Sequence, residues 1–129
     1  MLNDPLAKVL DALDTAEKLG KAEVTVGPTS KVITNVLRLI QAQGLLGEFE
    51  IIENGRGGLY KIRLVHRINK CGVIKPRYPV KIREYTSWEK KFLPASGFGS
   101  LIISTSRGMM PHADAKKKGL GGKLIAYVF

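Results

Sequence analysis

Gly99-Ser-Leu-Ile-Ile-Ser-Thr-Ser-Arg-Gly-Met-Met-Pro-His-Ala-Asp-Ala-Lys116 is the stretch around which the chain is organised. Leu101, Ile102 and Ile103 form an apolar run that reads as a buried strand. Its end turns small and hydroxylic at Ser104, Thr105 and Ser106, followed by Arg107 and Gly108, an apolar pair and a short helix-like stretch. Each hydroxyl donates and accepts a hydrogen bond in little volume. Three hydroxyls and a guanidinium at the mouth of a rigid strand suit contact with sugar hydroxyls, phosphates and base edges in the shallow minor groove of RNA. The same residue types at a strand end also serve the local backbone.

Working outward, the charge is divided along the chain. The formal net charge is +10. Residues 1–60 hold six Lys/Arg and eight Asp/Glu, whereas residues 61–129 hold fifteen and three. The second half is built to meet a polyanion. No apolar run reaches bilayer length, and no basic amphipathic helix or lipidation signal is apparent. Nucleic acid is therefore the expected partner, with no membrane. One cysteine forms no internal disulfide and fits a reducing compartment. Met1-Leu2-Asn3-Asp4-Pro5 lacks the basic and apolar regions of a secretory signal.

At 129 residues the chain makes one domain or two small lobes. Residues 4–19 predict a helix: Asp4 caps it, Pro5 suits its first position, Gly20 closes it, and Leu6, Val9, Leu10 and Leu13 form one stripe. Ala22–Val26 predicts a strand. A turn through Ser30 then leads into a second helix with Val32, Ile33, Val36, Leu37 and Ile40 buried and Gly44 at its end. Ser30 and Lys31 stand at the positive end of that helix and are candidates for phosphate contact, or a plain cap and a solvated lysine. Phe49–Glu53 and Leu59–Val65 predict a hairpin about Asn54–Gly58.

Residues 67–79, with Gly72, Pro76 and Pro79, predict a linker. Val80–Tyr85 alternates as a strand, placing Val80 and Ile82 on one face and Lys81 and Arg83 on the other. Ser87 is the expected cap of a short helix holding Trp88 and Phe92. The central strand, its loop, a short helix near 111–118 and a last strand Lys123–Val128 complete the pattern. The fold class is α+β in two lobes: a helix-strand-helix-strand-strand lobe at 1–66 and a β-rich lobe with a short helix at 67–129.

Tyr78 and Tyr85 interleave the basic run Arg67–Arg83, and bases stack on tyrosines. Catalysis has thin support. His66 and Cys71 make one conceivable nucleophile pair, with the histidine on a strand, but a lone cysteine is more often a buried small side chain. Metal-ligand spacing is missing. Gly119–Lys123 lacks the upstream glycine of a phosphate-binding loop, and Gly97-Phe98-Gly99 lacks the third glycine of a dinucleotide fingerprint. No catalytic, metal or cofactor site is expected.

The central stretch also resembles the family of the eighth small-subunit ribosomal protein. Its pattern is met by Gly99, Ile102, Ile103, Ser104, Thr105, Gly108, Met109, Met110, Ala115 and Lys116. Asp4–Ala7, Ser30-Lys31, Gly119–Gly122 and Tyr127-Val128 resemble the family's opening, second-helix entrance and close. Gly47–Glu50 and Asn69–Pro76 resemble its archaeal and eukaryotic branch. Two departures stand out: Pro111 where many members carry Ser or Thr, and Lys123 where bacterial relatives usually carry Glu.

The resemblance implies a cytoplasmic, ribosome-bound structural protein without enzymatic activity. It implies binding of an irregular helix in the central domain of small-subunit rRNA, early in assembly, and contacts with neighbouring small-subunit proteins. In some members it implies repression of the protein's own mRNA. The expected RNA contacts are Ser104, Thr105, Ser106, Arg107, Gly108, Ser30, Lys31, Lys81, Arg83 and Lys123. A non-ribosomal translational repressor of the same fold is the alternative.

Overall fold

In the computed structural model, Asp4 is itself extended and caps the first helix. Its Oδ1 accepts the N–H groups of Leu6 at 3.0 Å and Ala7 at 3.4 Å. Helix α1 (Pro5–Lys18) buries the stripe Leu6, Val9, Leu10, Leu13 and Ala16. The structure describes residues 4–75, 77–95 and 98–129. Met1–Asn3, Pro76 of the expected linker and Gly97 of the Gly97-Phe98-Gly99 stretch lie outside the described residues.

The chain forms two compact units, residues 1–71 and 72–129. In the first, β1 (Glu23–Val26), α2 (Lys31–Ala42), β2 (Leu46–Ile52) and β3 (Leu59–Leu64) follow α1. The strands make an antiparallel sheet in the order β1-β3-β2. Tyr60, Ile62 and Leu64 of β3 are buried, while Lys61 and Arg63 between them are exposed. Period-two alternation thus gives one wet and one packed face. Helix α2 buries Ile33, Val36, Leu37 and Ile40. Val32, expected to join them, is 41% exposed. Successive helical residues turn by about 100°, which puts Val32 on the rim of the stripe.

The second unit has a five-stranded sheet. Its first strands are β4 (Cys71–Val73), which starts at the last residue of the first unit and lies within the expected linker, and β5 (Pro79–Val80). After a 3-10 turn (Ile82–Glu84) come α3 (Tyr85–Phe92), β6 (Ser100–Thr105), β7 (Gly108–Pro111), α4 (His112–Lys117) and β8 (Gly122–Val128). The order is β4-β8-β6-β7, with β5 also on β8. Ile74, Val80, Tyr85, Leu93, Leu101, Ile103, Met110, Ala115 and Leu124 form its core. The architecture is α+β, as the sequence predicts.

Three local expectations are corrected. The strand expected over Val80–Tyr85 stops at Val80. Glu84 Oε1 accepts the Lys81 N–H at 2.8 Å, and the Glu84 N–H reaches the Lys81 carbonyl at 2.9 Å. These bonds close a turn where a strand would extend. Ile82 is consequently 46% exposed, and Lys81 and Arg83 do not share a strand face. The turn runs straight into α3, so Ser87 lies inside that helix and is not its cap. Finally, Gly108–Pro111 forms β7 where the sequence suggested loop and helix start. Pro111 is the N-cap of α4, and the helix begins one residue later, at His112.

Candidate nucleic-acid interface

Strands β6 and β7 form a hairpin with Ser106 and Arg107 at its turn. Their register pairs Ile103 with Met110, Ser104 with Met109 and Thr105 with Gly108. The Thr105 hydroxyl locks the turn. It donates to the Gly108 carbonyl at 2.7 Å and accepts the Arg107 N–H at 3.1 Å. Gly108 adopts φ +105, a left-handed conformation that glycine takes without a Cβ penalty. Ser106, Arg107 and Gly108 are exposed, and Ser104 and Thr105 are half-buried. Thr105 therefore shapes the tip. Among the described residues, the hydroxyls of Ser104 and Ser106 have no hydrogen-bond partner.

On the other side of β6, Ser104 pairs with Lys123 of β8, which in turn pairs with Pro79 of β5. Directly opposed residues project to the same face of a sheet. Pro79, Lys123, Ser104 and Met109 thus form a transverse row. The next row, Leu124, Ile103 and Met110, belongs to the buried core on the opposite face. This pairing brings two sequence-predicted residues, Ser104 and Lys123, side by side beneath the exposed turn. Close approach of β8 depends on Gly122, where a Cβ would collide with the Ser104 carbonyl oxygen.

The hairpin is braced from behind by a buried polar cluster that sequence reading missed. His112 Nδ1 accepts the Leu101 N–H at 3.0 Å. His112 Nε2 meets Glu89 Oε1 at 2.9 Å, and Lys116 Nζ donates to the same oxygen at 2.7 Å. The first bond fixes the tautomer, because only an unprotonated Nδ1 accepts. Burial is the main influence on His112 and holds its pKa below the ordinary histidine value, opposed by the Glu89 charge. The cluster joins α3, α4 and β6. Only its residue types, not their convergence, were visible in sequence.

The remaining predicted residues are placed apart from this row. Lys81 and Arg83 are exposed on the 3-10 turn region. Ser30 and Lys31 belong to the first unit. Ser30 Oγ accepts the Ile33 N–H at 3.2 Å, and the Tyr60 hydroxyl accepts the Ser30 N–H at 3.1 Å. Ser30 is thus chiefly a cap. Exposed Lys31 lines an open depression of about 440 Å³ together with Thr34, Asn35 and Arg38.

Tyr85 is fully buried, its hydroxyl donating to the Leu120 carbonyl at 2.8 Å, so it offers no stacking face. Tyr78 is 39% exposed and stacks on Trp88 with centroids 5.0 Å apart. Cys71 is buried, its Sγ 3.4 Å from the Leu10 carbonyl oxygen. Burial foremost, then the charges of Asp14, Asp11 and Glu17, push its thiol up to about 12. That suppresses the thiolate a nucleophile requires. His66 lies beyond the end of β3, with φ +60, and not on a strand. Among the described residues, no three potential ligands cluster to hold a metal, and no helix is long and apolar enough to cross a membrane.

The family model for ribosomal protein S8 matches residues 4–129. The match takes in the hairpin, the Lys123 strand, the α2 entrance and both units. The chain thus belongs to the ribosomal protein S8 family, RNA-binding structural proteins that work in the ribosome on small-subunit rRNA beside other ribosomal proteins, and not a family of enzymes.

Proposed function

We propose that this protein recognises an irregular helix in the central domain of small-subunit rRNA and helps that region assemble. The observation that carries the reading is the Lys123–Ser104 row leading into a rigid turn tipped by Ser106 and Arg107. Ser104 and Ser106 meet ribose 2′-hydroxyls and base edges in the minor groove. Thr105 holds the turn in shape, and Gly108 lets backbone approach the groove. Arg107, Lys123, Lys81 and Arg83 neutralise phosphates, which position the protein without reading sequence. The lobe beyond residue 66 faces the RNA. Ser30 and Lys31 offer a further phosphate contact from the lobe at 1–66. The segments Gly47–Glu50 and Asn69–Pro76 support membership of the archaeal and eukaryotic branch. The same surface would accept an mRNA that copies the ribosomal site.

The test is binding of the full chain to a central-domain rRNA fragment and to a random duplex of equal length, across a salt series. Preference for the fragment is expected to persist as salt rises. Ser106→Ala is expected to weaken fragment binding by about 0.5–1.5 kcal/mol without altering duplex binding. Lys81→Gln is expected to weaken both and to lower the salt slope by roughly 0.7–0.9. Equal binding to both RNAs, vanishing steeply with salt, would sink the reading.

A further inference from the structure

Six of the nine aromatic side chains lie in one ladder within the second unit. Tyr78 stacks on Trp88 at 5.0 Å, Trp88 on Phe92 at 6.1 Å, Phe92 on Tyr127 at 5.6 Å and Tyr127 on Phe129 at 6.4 Å. Phe98 leans on Phe129 at 6.5 Å. Trp88, Phe92, Tyr127 and Phe129 pack against the core and are only partly accessible. Stacking within a core needs no partner. The ladder, however, continues past the core and ends at a ring open to solvent. Tyr78 has one face backed by Trp88 at an interplanar angle of 28° and is 39% exposed. Such a ring is held in place before any ligand arrives, which reduces the ordering cost of binding.

The surroundings of that end are cationic. Arg77 precedes Tyr78 and is exposed, and Lys91 Nζ lies 4.6 Å from the Trp88 centroid. Residues 72–129 hold eleven Lys/Arg against three acids, Glu84, Glu89 and Asp114. Two of those acids are engaged: Glu84 with the Lys81 N–H, and Glu89 with His112 and Lys116. An aromatic face in a unit whose cations outnumber its acids suits a nucleotide, whose base stacks and whose phosphate is neutralised. It suits an apolar protein segment poorly. Tyr78 borders β8 one residue before the Pro79–Lys123 pair, so it stands opposite Leu124, on the face of the sheet that carries the ladder and not the Lys123–Ser104 row. The Tyr78 carbonyl accepts the Leu124 N–H at 3.0 Å, and the next residue, Pro79, pairs with Lys123.

We propose that Tyr78 is a stacking platform for an unpaired base extruded from the bound RNA helix, at the edge of the sheet and on the face opposite Ser104 and Lys123. The inference rests on the reading of the chain as an RNA binder and adds a site for a single-stranded nucleotide. An extruded base stacks on a ring whose other face is already covered, so the ladder grows by one member.

The experiment uses the full chain and an RNA hairpin with one bulged 2-aminopurine, beside a fully paired hairpin. Binding is expected to quench the 2-aminopurine fluorescence in the natural protein and in Tyr78→Phe. Tyr78→Leu is expected to lose the quench and to bind the bulged hairpin about tenfold more weakly, with the paired hairpin unaffected. In the unmodified chain, a bulged 4-thiouridine is expected to crosslink at Tyr78, as mapped by mass spectrometry. That measurement holds even if Tyr78→Leu fails to fold. Binding without quenching, persistence of the quench in Tyr78→Leu, or crosslinks confined to residues 104–108 would overturn the assignment. The first result would be expected if a protein segment covers the ring. Failure of the central-domain preference is scored separately: loss of that preference with the quench intact removes the rRNA target and leaves the stacking site.

Discussion

Gly122→Ala tests whether the contact between β8 and β6 builds the interface. Gly122 opens β8, pairs with Val80 and precedes Lys123. An added Cβ would fall on the Ser104 carbonyl oxygen, 2.9 Å from Ile103 Cγ2 and 3.0 Å from the Ser104 carbonyl carbon. Two of these atoms are backbone of the neighbouring strand, so no side-chain rotation relieves the clash. The strands must part or β8 must shift, and overpacking of this kind costs about 1–3 kcal/mol. Near 2 kcal/mol, the thermal midpoint of a small domain falls by roughly 10 °C. Because Ser104 and Lys123 sit at the same crossing, RNA affinity should fall even at temperatures where the protein is folded. Circular-dichroism melting and fragment binding at 15 °C below the midpoint measure the two effects separately. Gly119→Ala is the control. No atom lies within 4 Å of its added Cβ, and its φ of +67 gives a strain of about 1 kcal/mol with no effect on the Ser104 contact. A Gly122→Ala protein melting within about 2 °C of the natural one would refute the steric argument.

Two further outcomes are expected. His112 has a folded pKa below its ordinary value of 6.5, so its neutral form is the one the fold prefers. The stability it contributes is therefore present above about pH 6.5 and declines as pH falls toward the lower folded value. His112→Asn should flatten that decline between pH 7 and 5 in urea titrations; an unchanged slope would show that the buried cluster does not titrate as described. Cys71, pushed up to about 12, should react with iodoacetamide at pH 7.5 only as fast as the protein opens. Alkylation of the native protein as rapid as in urea would contradict the burial of its thiol.

How legible the fold was depended on whether a signal was local. The stripes of α1 and α2 and the caps Asp4 and Ser30 could be read directly, because helix periodicity and capping involve residues a few positions apart. The alternation over Val80–Tyr85 was equally local but ambiguous. Six residues of period two fit a strand, yet one carboxylate at Glu84, which accepts the Lys81 N–H, turned the segment into a helical entrance. Strand β7 was missed because Gly108-Met109-Met110-Pro111 is short and ends in proline. Its pairing with β6 comes from the Thr105 lock, which sequence offers only as a hydroxyl near a glycine.

The interface divides along the same line. Ser104–Gly108 was readable because the whole tip is contiguous, although three hydroxyls that looked equivalent serve different ends: Thr105 is turned inward to its own turn, and Ser106 outward. What no local reading supplies is adjacency across strands. Lys123 stands beside Ser104 only through the register of β8 on β6, and that register contains an irregularity between Ile102 and Ile103. A shift of one residue would exchange Lys123 for Leu124, bringing an apolar core side chain to the row and a cation to the core. Burying an unpaired ammonium is costly enough to forbid that alternative. The apolar pattern that makes β8 pack is therefore also what holds Lys123 beside Ser104 on the face opposite the core. In this unit, fold stability and the placement of the candidate binding cation follow from one constraint.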